Sequence, residues 1–229
     1  MAEERKSIPR GVVVEFDFSA VDGAQILFDV AKKVLAPKGV DLTVKLEATH
    51  LVGGNYQGGL TELFEALDVK ADAAAVAQEL DAAFRAALTE ACAAAVTPGF
   101  KAFVRGLTAR GLKVVVATRA DLAALRPALA DLDAGLVVPY AEPSKTYGNC
   151  KWDAWRRACS QNDLVNMLAV AVTGSGKGVK SALVAGLSAL AVEHDHVAYQ
   201  DFGGADAVVS GFDAKLADVV FRMLHTWGD

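Results

Sequence analysis

Short apolar runs alternate with amphipathic segments along most of this chain. Segments whose apolar residues recur every three or four positions predict helices, and short runs of β-branched and small apolar residues predict buried strands. Strands that alternate with helices favour a parallel sheet covered on both faces. The pattern therefore predicts an α/β fold with a doubly wound, Rossmann-like core. The predicted strands are residues 11–18, 112–118, 135–140, 166–173, 187–193 and 205–211.

One long segment interrupts this alternation. No strand pattern occurs between about residue 25 and residue 95, where only helical patterns are found. Residues 71–96 are rich in alanine, which has the highest helix propensity. We interpret the segment as an all-helical module inserted after the first strand. The predicted domains are an α/β core, residues 1–24 and 96–229, and a helical cap, residues 25–95.

Composition and charge exclude several classes of partner. The net charge is −5 and the basic residues are scattered, so no basic patch for nucleic acid is expected. No apolar run reaches the roughly 20 residues of a membrane span, and the start of the chain is too polar for a signal peptide. The three cysteines lack metal-type spacing and favour a reducing compartment. We expect a cytoplasmic protein that binds neither nucleic acid nor membrane; its oligomeric state does not follow from the sequence.

The stretch LAVAVTGSGKGVKSALVAG, residues 168–186, is similar to a phosphate-binding P-loop at first sight. A P-loop requires G-x-x-x-x-G-K followed by Ser or Thr, because the lysine reaches phosphates and the hydroxyl holds Mg²⁺. Here Lys177 is followed by Gly178, and Ala171 stands at the position of the first glycine. The alternative lysine, Lys180, is preceded by Val179. We interpret the stretch as a strand-to-helix turn built from small residues.

Three stretches, in this order, resemble the motifs of the haloacid dehalogenase (HAD) superfamily. They are VVVEFDFSAVDG at 12–23, KVVVAT at 113–118 and VTGSGKGVKSALVAGL at 172–187. With the helical segment after the first motif, the chain looks closest to the branch of phosphoglycolate phosphatase and β-phosphoglucomutase. Ligands of open parallel sheets bind at the carboxyl ends of the strands, which is where all three motifs fall.

The resemblance implies roles for individual residues. Asp17 takes the position of the nucleophile, and Ser19 replaces the second, acid–base aspartate. Thr118 corresponds to the hydroxyl residue of the second motif. The lysine of the third motif is Lys145 or Lys151, since both precede a predicted helix.

The fourth motif departs from the family pattern. Thr173 and Gly174 stand where the resemblance places acidic metal ligands. The family uses Mg²⁺, a hard cation that prefers carboxylate oxygens, so we expect weak Mg²⁺ binding here. Ser19 does not titrate near pH 7 and is a poor replacement for an acid–base carboxylate.

Groups that bind anions remain near the predicted site. They are the Thr118 hydroxyl, Arg119, the third-motif lysine, and the turn of Ser175 and Lys177 at a helix N-terminus. Arg119 is expected to lie near the mouth of the site with its side chain at the surface.

Two functions follow from the resemblance. The first is a degenerate phosphohydrolase, weak or inactive, that keeps a pocket for a small phosphorylated metabolite or an inorganic anion. The alternative is an active hydrolase that forms a phospho-aspartyl intermediate on Asp17 with re-sited acid–base and metal ligands. His194 and His196 lie two residues apart and are a separate candidate metal pair if the local chain is a strand, but a loop is the expected alternative.

Overall fold

The computed structural model of the chain describes residues 9–137 and 152–225. In these residues a single parallel sheet has the strand order β3-β2-β1-β4-β5-β6. The predicted α/β class and doubly wound core are confirmed. The strands are β1 (Gly11–Glu15), β2 (Lys113–Ala117), β3 (Ala134–Val137), β4 (Ala169–Thr173), β5 (Ser188–Val192) and β6 (Ala207–Val209).

Helices cover both faces of the sheet. No helix of the described residues is both long and apolar enough to cross a bilayer. The helices are α1 (Phe16–Ser19), α2 (Gly23–Leu35), α3 (Val44–His50), α4 (Tyr56–Ala66), α5 (Ala73–Ala95), α6 (Pro98–Thr108), α7 (Leu122–Leu125), α8 (Trp152–Ser160), α9 (Gly176–Ala185) and α10 (Leu216–His225).

Local sequence signals explain where several helices begin and end. The Asp72 carboxylate accepts hydrogen bonds from the backbone N–H groups that start α5, and the Thr97 hydroxyl does the same at α6, where Pro98 is the first residue. Gly39, with φ of +82°, follows the short 3-10 turn after α2. Pro127 stops a helix early: α7 ends at Leu125 and continues as one 3-10 turn.

The helical insertion, defined as α2 to α5 (residues 23–95), separates β1 from β2 in sequence. Helix α5 packs against both α2 and α4, and α3 packs against α4. Leu27, Leu60, Leu80 and Phe84 are fully buried between these helices and the sheet. This helical content is consistent with a cap, whereas the boundaries of a separate domain at 25 and 95 stay a prediction.

The first strand is shorter than predicted. It ends at Glu15 rather than residue 18, because Phe16–Ser19 turn into one helical turn. The Ser19 hydroxyl donates to the Glu15 carbonyl at 2.7 Å and closes that turn. The predicted strand 135–140 is described only as far as Val137, and its remainder lies outside the described residues.

The strand register sets the position of the candidate site. Glu15 at the end of β1 pairs with Ala117 of β2, and Val14 pairs with Val172 of β4. Residues that follow β1, β2 and β4 therefore meet at one edge of the sheet, and the helical insertion departs from the same edge. The side chains of Asp17, Thr118 and Thr173 are all buried there.

Candidate functional site

Asp17 lies in the helical turn after β1 with its side chain only 4% exposed. One carboxylate oxygen, Oδ1, accepts a hydrogen bond from the Thr118 hydroxyl at 2.5 Å. The Arg119 backbone N–H lies 3.0 Å from Oδ2 and 3.3 Å from Oδ1, and the Arg119 Nε lies 3.5 Å from Oδ2. The structure therefore brings three predicted site residues together around one carboxylate.

Burial and hydrogen bonding act in opposite directions on this carboxylate. Burial raises the pKa of Asp17, whereas the Arg119 guanidinium and then the Thr118 hydroxyl lower it. Ser19, the other predicted catalytic residue, donates its hydroxyl to the backbone carbonyl of Glu15. Both carboxylate oxygens of Asp17 are thus already hydrogen-bonded to Thr118 or Arg119 of the protein itself.

The prediction that Arg119 is a surface residue is wrong. Its side chain is 2% exposed, because the guanidinium points from the sheet into the helical insertion. One terminal nitrogen donates to Asp81 Oδ1 at 3.1 Å, and the other donates to the Tyr56 hydroxyl at 3.1 Å. The guanidinium carbon also lies 5.4 Å from the Tyr56 ring centre and 5.1 Å from that of Phe84, within cation–π range.

Asp81 is a site residue that sequence reasoning missed, although the sequence carries a signal for it. It lies on α5 between Ala77 and Phe84, both of them buried, at the spacing of one apolar helix face. A carboxylate on a buried face needs a charged or hydrogen-bonding partner. Arg119, which follows β2 of the sheet, is that partner.

Glu15 is the second missed residue. It is the last residue of β1, is 3% exposed, and accepts a hydrogen bond from the Thr173 hydroxyl. Burial raises the pKa of Glu15 to about 7, and the nearby Asp17 carboxylate contributes to the rise. Glu15-Phe16-Asp17 therefore forms a carboxylate–any–carboxylate sequence at the end of the apolar strand, which overlaps the Asp17-Phe18-Ser19 sequence of the first motif.

The turn after β4 is tightly packed. A Cβ atom added at Gly174 would lie 1.6 Å from the Phe18 carbonyl oxygen, so no side chain fits at this position without movement of the backbone. The Ser175 hydroxyl accepts from the Gly178 N–H at 3.0 Å and caps α9. Lys177 Nζ donates to the Thr49 carbonyl at 2.9 Å and so contacts the helical insertion. Ser175 and Lys177, both predicted to bind an anion, therefore form hydrogen bonds within the protein instead.

Comparison with known proteins identifies the fold. No family model and no curated protein sequence matches the chain. Among solved structures, β-phosphoglucomutase of Clostridium difficile has a TM-score of 0.70 at 14% identity, covering 96% of this chain and 98% of that protein. A phosphonoacetaldehyde hydrolase-like protein of Oleispira antarctica has a TM-score of 0.71 at 15% identity, covering 97% and 96%.

A third structure adds a bound ligand. A HAD family hydrolase of Deinococcus radiodurans R1, solved with phosphate and sodium, has a TM-score of 0.60 at 22% identity, covering 96% of this chain and 98% of that one. The chain has the HAD fold. These likenesses confirm that the predicted resemblance to HAD phosphatases and β-phosphoglucomutases is a likeness of fold.

The HAD fold implies a divalent cation near the ends of β1 and β4. Between residues 9 and 137 and from 152 to 225, no three His, Cys, Asp or Glu side chains are grouped so that they could hold a metal ion. At the end of β4, Thr173 offers a hydroxyl that is donated to Glu15, and Gly174 offers no side chain. Within that part of the chain, the donor set consists of carboxylates already bonded inside the protein and does not fit Mg²⁺.

The remaining predicted candidates are two lysines and two histidines. Lys145 and Lys151, the alternatives for the third motif, are outside the described residues. Strand β5 ends at Val192, so His194 and His196 lie in a loop and a 3-10 turn, without strand alternation. His196 contacts Glu47 of the helical insertion through Nδ1 at 2.8 Å.

Proposed function

We propose that this chain is a HAD-fold protein that binds a small phosphorylated metabolite or an inorganic anion and hydrolyses phosphate esters slowly or not at all. One observation carries the proposal. The Thr118 hydroxyl and the Arg119 backbone N–H converge on a buried carboxylate of the chain itself, that of Asp17.

The same donors suit a phosphate oxygen. A hydroxyl, a backbone N–H and a guanidinium are the groups that form strong, charge-assisted hydrogen bonds to oxyanions. Here they bond to an aspartate carboxylate, whose oxygens are anionic acceptors like those of phosphate. Asp17 is therefore an internal ligand of the anion site, and a phosphate must displace its side chain to reach Thr118 and Arg119.

Slow hydrolysis follows from the same contacts. In the HAD-type reaction that the resemblance implies, Asp17 would attack phosphorus, but both of its oxygens are held by protein donors. Ser19 is not a titrating group near pH 7, and its hydroxyl is bonded to the backbone. Acid–base assistance typically contributes about 10² to 10⁴ in rate, so its loss alone lowers turnover strongly.

Weak cation binding is part of the same proposal. Mg²⁺ is usually bound by one or two carboxylates together with substrate phosphate and water. The backbone contact of Gly174 with Phe18 leaves no space for a carboxylate at position 174, just after β4. A phosphoryl dianion that approaches Asp17 would then meet a like charge with little compensation from a metal.

One observation favours the alternative, an active hydrolase. The pKa of Glu15 is raised to about 7, which suits a general acid or base near neutral pH. In that case Asp17 would be the nucleophile and Glu15 the re-sited acid–base group.

A phosphatase assay separates the two functions. Wild type, Asp17→Asn and Glu15→Gln are compared with a generic phosphate ester in the presence of Mg²⁺. We expect hydrolysis by wild type at the background level, with no further loss in either variant. Hydrolysis well above background that disappears in both variants would overturn the proposal and establish the alternative.

A further inference from the structure

We infer that Asp81 of the helical insertion controls the anion site by neutralising Arg119 and competing with an incoming phosphate for its guanidinium. The inference rests on the proposed function, because it concerns regulation of the same anion site. It assigns a role to a residue outside the three sequence motifs.

Asp81 is held in place from two sides. Its side chain is 7% exposed, and Oδ1 accepts from the Arg119 guanidinium at 3.1 Å. The other oxygen, Oδ2, lies 2.8 Å from Nε of Arg85, one turn farther along α5. The carboxylate thus has a fixed position and remains close to Arg119 as long as the insertion packs on the sheet.

Arg119 is shared between two carboxylates. Its Nε lies 3.5 Å from Asp17, and a terminal nitrogen lies 3.1 Å from Asp81. Charge interactions are strong in such a buried, poorly hydrated site. The positive charge of Arg119 is therefore largely compensated before a ligand arrives, and Asp81 adds a negative charge that repels an anion.

Arg119 also connects the two parts of the molecule. In the chain, Arg119 follows β2 of the sheet. Its guanidinium contacts Tyr56 of α4 and both Asp81 and Phe84 of α5. A phosphate bound at Thr118 would draw the guanidinium towards the sheet and weaken these contacts. Anion binding should therefore loosen the packing of the insertion, and weakening the Asp81 contact should favour anion binding.

Phosphate affinity of Asp81→Asn tests this inference. Isothermal titration with inorganic phosphate should show at least about tenfold tighter binding than wild type, since one repelling charge is removed and Arg119 is less compensated. The matched control is Glu79→Gln, which removes an exposed carboxylate from the same helix, 3.5 Å from Lys38. The control should stay within about twofold of wild type, because exposed ion pairs contribute little.

Two further variants keep the test decisive. Asp81→Asn combined with Arg119→Gln should lose the gain in affinity, because the charge that Asp81 masks is then absent. If Asp81→Asn alone does not fold by circular dichroism, Asp81→Asn with Arg85→Gln removes one charge of each sign from the cluster. That variant should show the same tighter binding.

The outcomes of these titrations separate the control by Asp81 from the proposed anion-binding function. Unchanged or weaker phosphate binding in a folded Asp81 variant would overturn the control by Asp81, even if Asp17→Ala binds phosphate more tightly. Tighter binding in the Asp81 variant alone would support the control by Asp81 and remove Asp17 as the internal ligand. Absence of phosphate binding in every variant would overturn both.

Discussion

The two halves of the sheet edge that forms the candidate site are held together by different kinds of interaction. At the ends of β1 and β2, charged groups meet: Asp17 and Asp81 flank the buried guanidinium of Arg119. At the end of β4, small neutral groups pack on one another, with Gly174 in contact with the Phe18 backbone. Beyond β5, His196 shares a hydrogen bond with Glu47 of the insertion.

This difference shows how a phosphatase-type fold can persist without an obvious place for its cation. The charged half keeps carboxylates, a hydroxyl and a guanidinium, but these groups are bonded to each other. The neutral half has a hydroxyl at Thr173 and a glycine at position 174, and the Phe18 backbone fills the space beside Gly174. The fold is retained because buried polar groups on each side are satisfied by partners of matching type.

The largest expected effect comes from restoring a carboxylate to the neutral half. Gly174→Asp places a Cβ 1.6 Å from the Phe18 carbonyl oxygen, so the backbone must move. We expect a loss of about 4 kcal/mol or more in the free energy of unfolding, up to complete failure to fold. Urea denaturation followed by circular dichroism measures this loss.

A matched glycine provides the control. Gly58 is exposed on α4, and a Cβ there would have no heavy atom within 4 Å. Gly58→Ala should stabilise the protein by roughly 0.5 to 1 kcal/mol, because alanine is the better helix former. A Gly174→Asp variant as stable as wild type would show that the neutral half can accept a carboxylate after all.

The contact between His196 and Glu47 joins a ring nitrogen to a fully buried carboxyl group at 2.8 Å. Gln25 donates through Nε2 to Asp29 at 3.1 Å, so its oxygen faces His196 Nε2 at 3.0 Å. The Nε2 atom of His196 therefore donates to that oxygen. The pKa of Glu47 is raised to about 9 by burial, with the Asp22 and Asp29 carboxylates adding to the rise. Burial thus favours the protonated form of the Glu47 carboxyl group at neutral pH.

This contact predicts a pH dependence of stability. Below the ordinary glutamate pKa of 4.5, Glu47 is protonated in both folded and unfolded states. Between that value and about 9, the unfolded chain loses the proton while the folded protein retains it, so stability falls as the pH rises. Glu47→Gln should remove this fall, so that the variant gains up to about 1.4 kcal/mol per pH unit relative to wild type between pH 5 and pH 8.

Chemical denaturation at several pH values measures this trend. The control is Glu62→Gln, because Glu62 is an exposed carboxylate of the same insertion, with 72% of its side chain accessible. A constant difference between Glu47→Gln and wild type over the pH range would mean that Glu47 is ionised in the folded protein.

Much of the fold could be predicted because the strands are short apolar runs and the helices have clear periodicity and caps. The insertion was predicted from the absence of any strand pattern between residues 25 and 95. The end of β1 could not be placed, because Glu15-Phe16-Asp17-Phe18 alternates as a strand does, whereas it bends into a helical turn whose last residue, Ser19, bonds back to Glu15.

The site was predictable only in part. Asp17 and Thr118 could be predicted because each follows a strand. The register of the sheet alone then sets the distance between these two residues. The partner of Arg119 could not be predicted, because Asp81 is 38 residues away in sequence and meets it only when the insertion packs on the sheet. The missing space at Gly174 is likewise a property of the folded backbone.

The most direct test of the account is the phosphate affinity of Asp17→Ala, measured by isothermal titration beside wild type and Asp17→Ala with Thr118→Val. If the Asp17 carboxylate is the internal ligand of the anion site, its removal should tighten phosphate binding by at least about tenfold, or 1.4 kcal/mol. Loss of the Thr118 hydroxyl should cancel most of that gain. Phosphate binding that is unchanged or weaker in a folded Asp17→Ala variant would contradict the account.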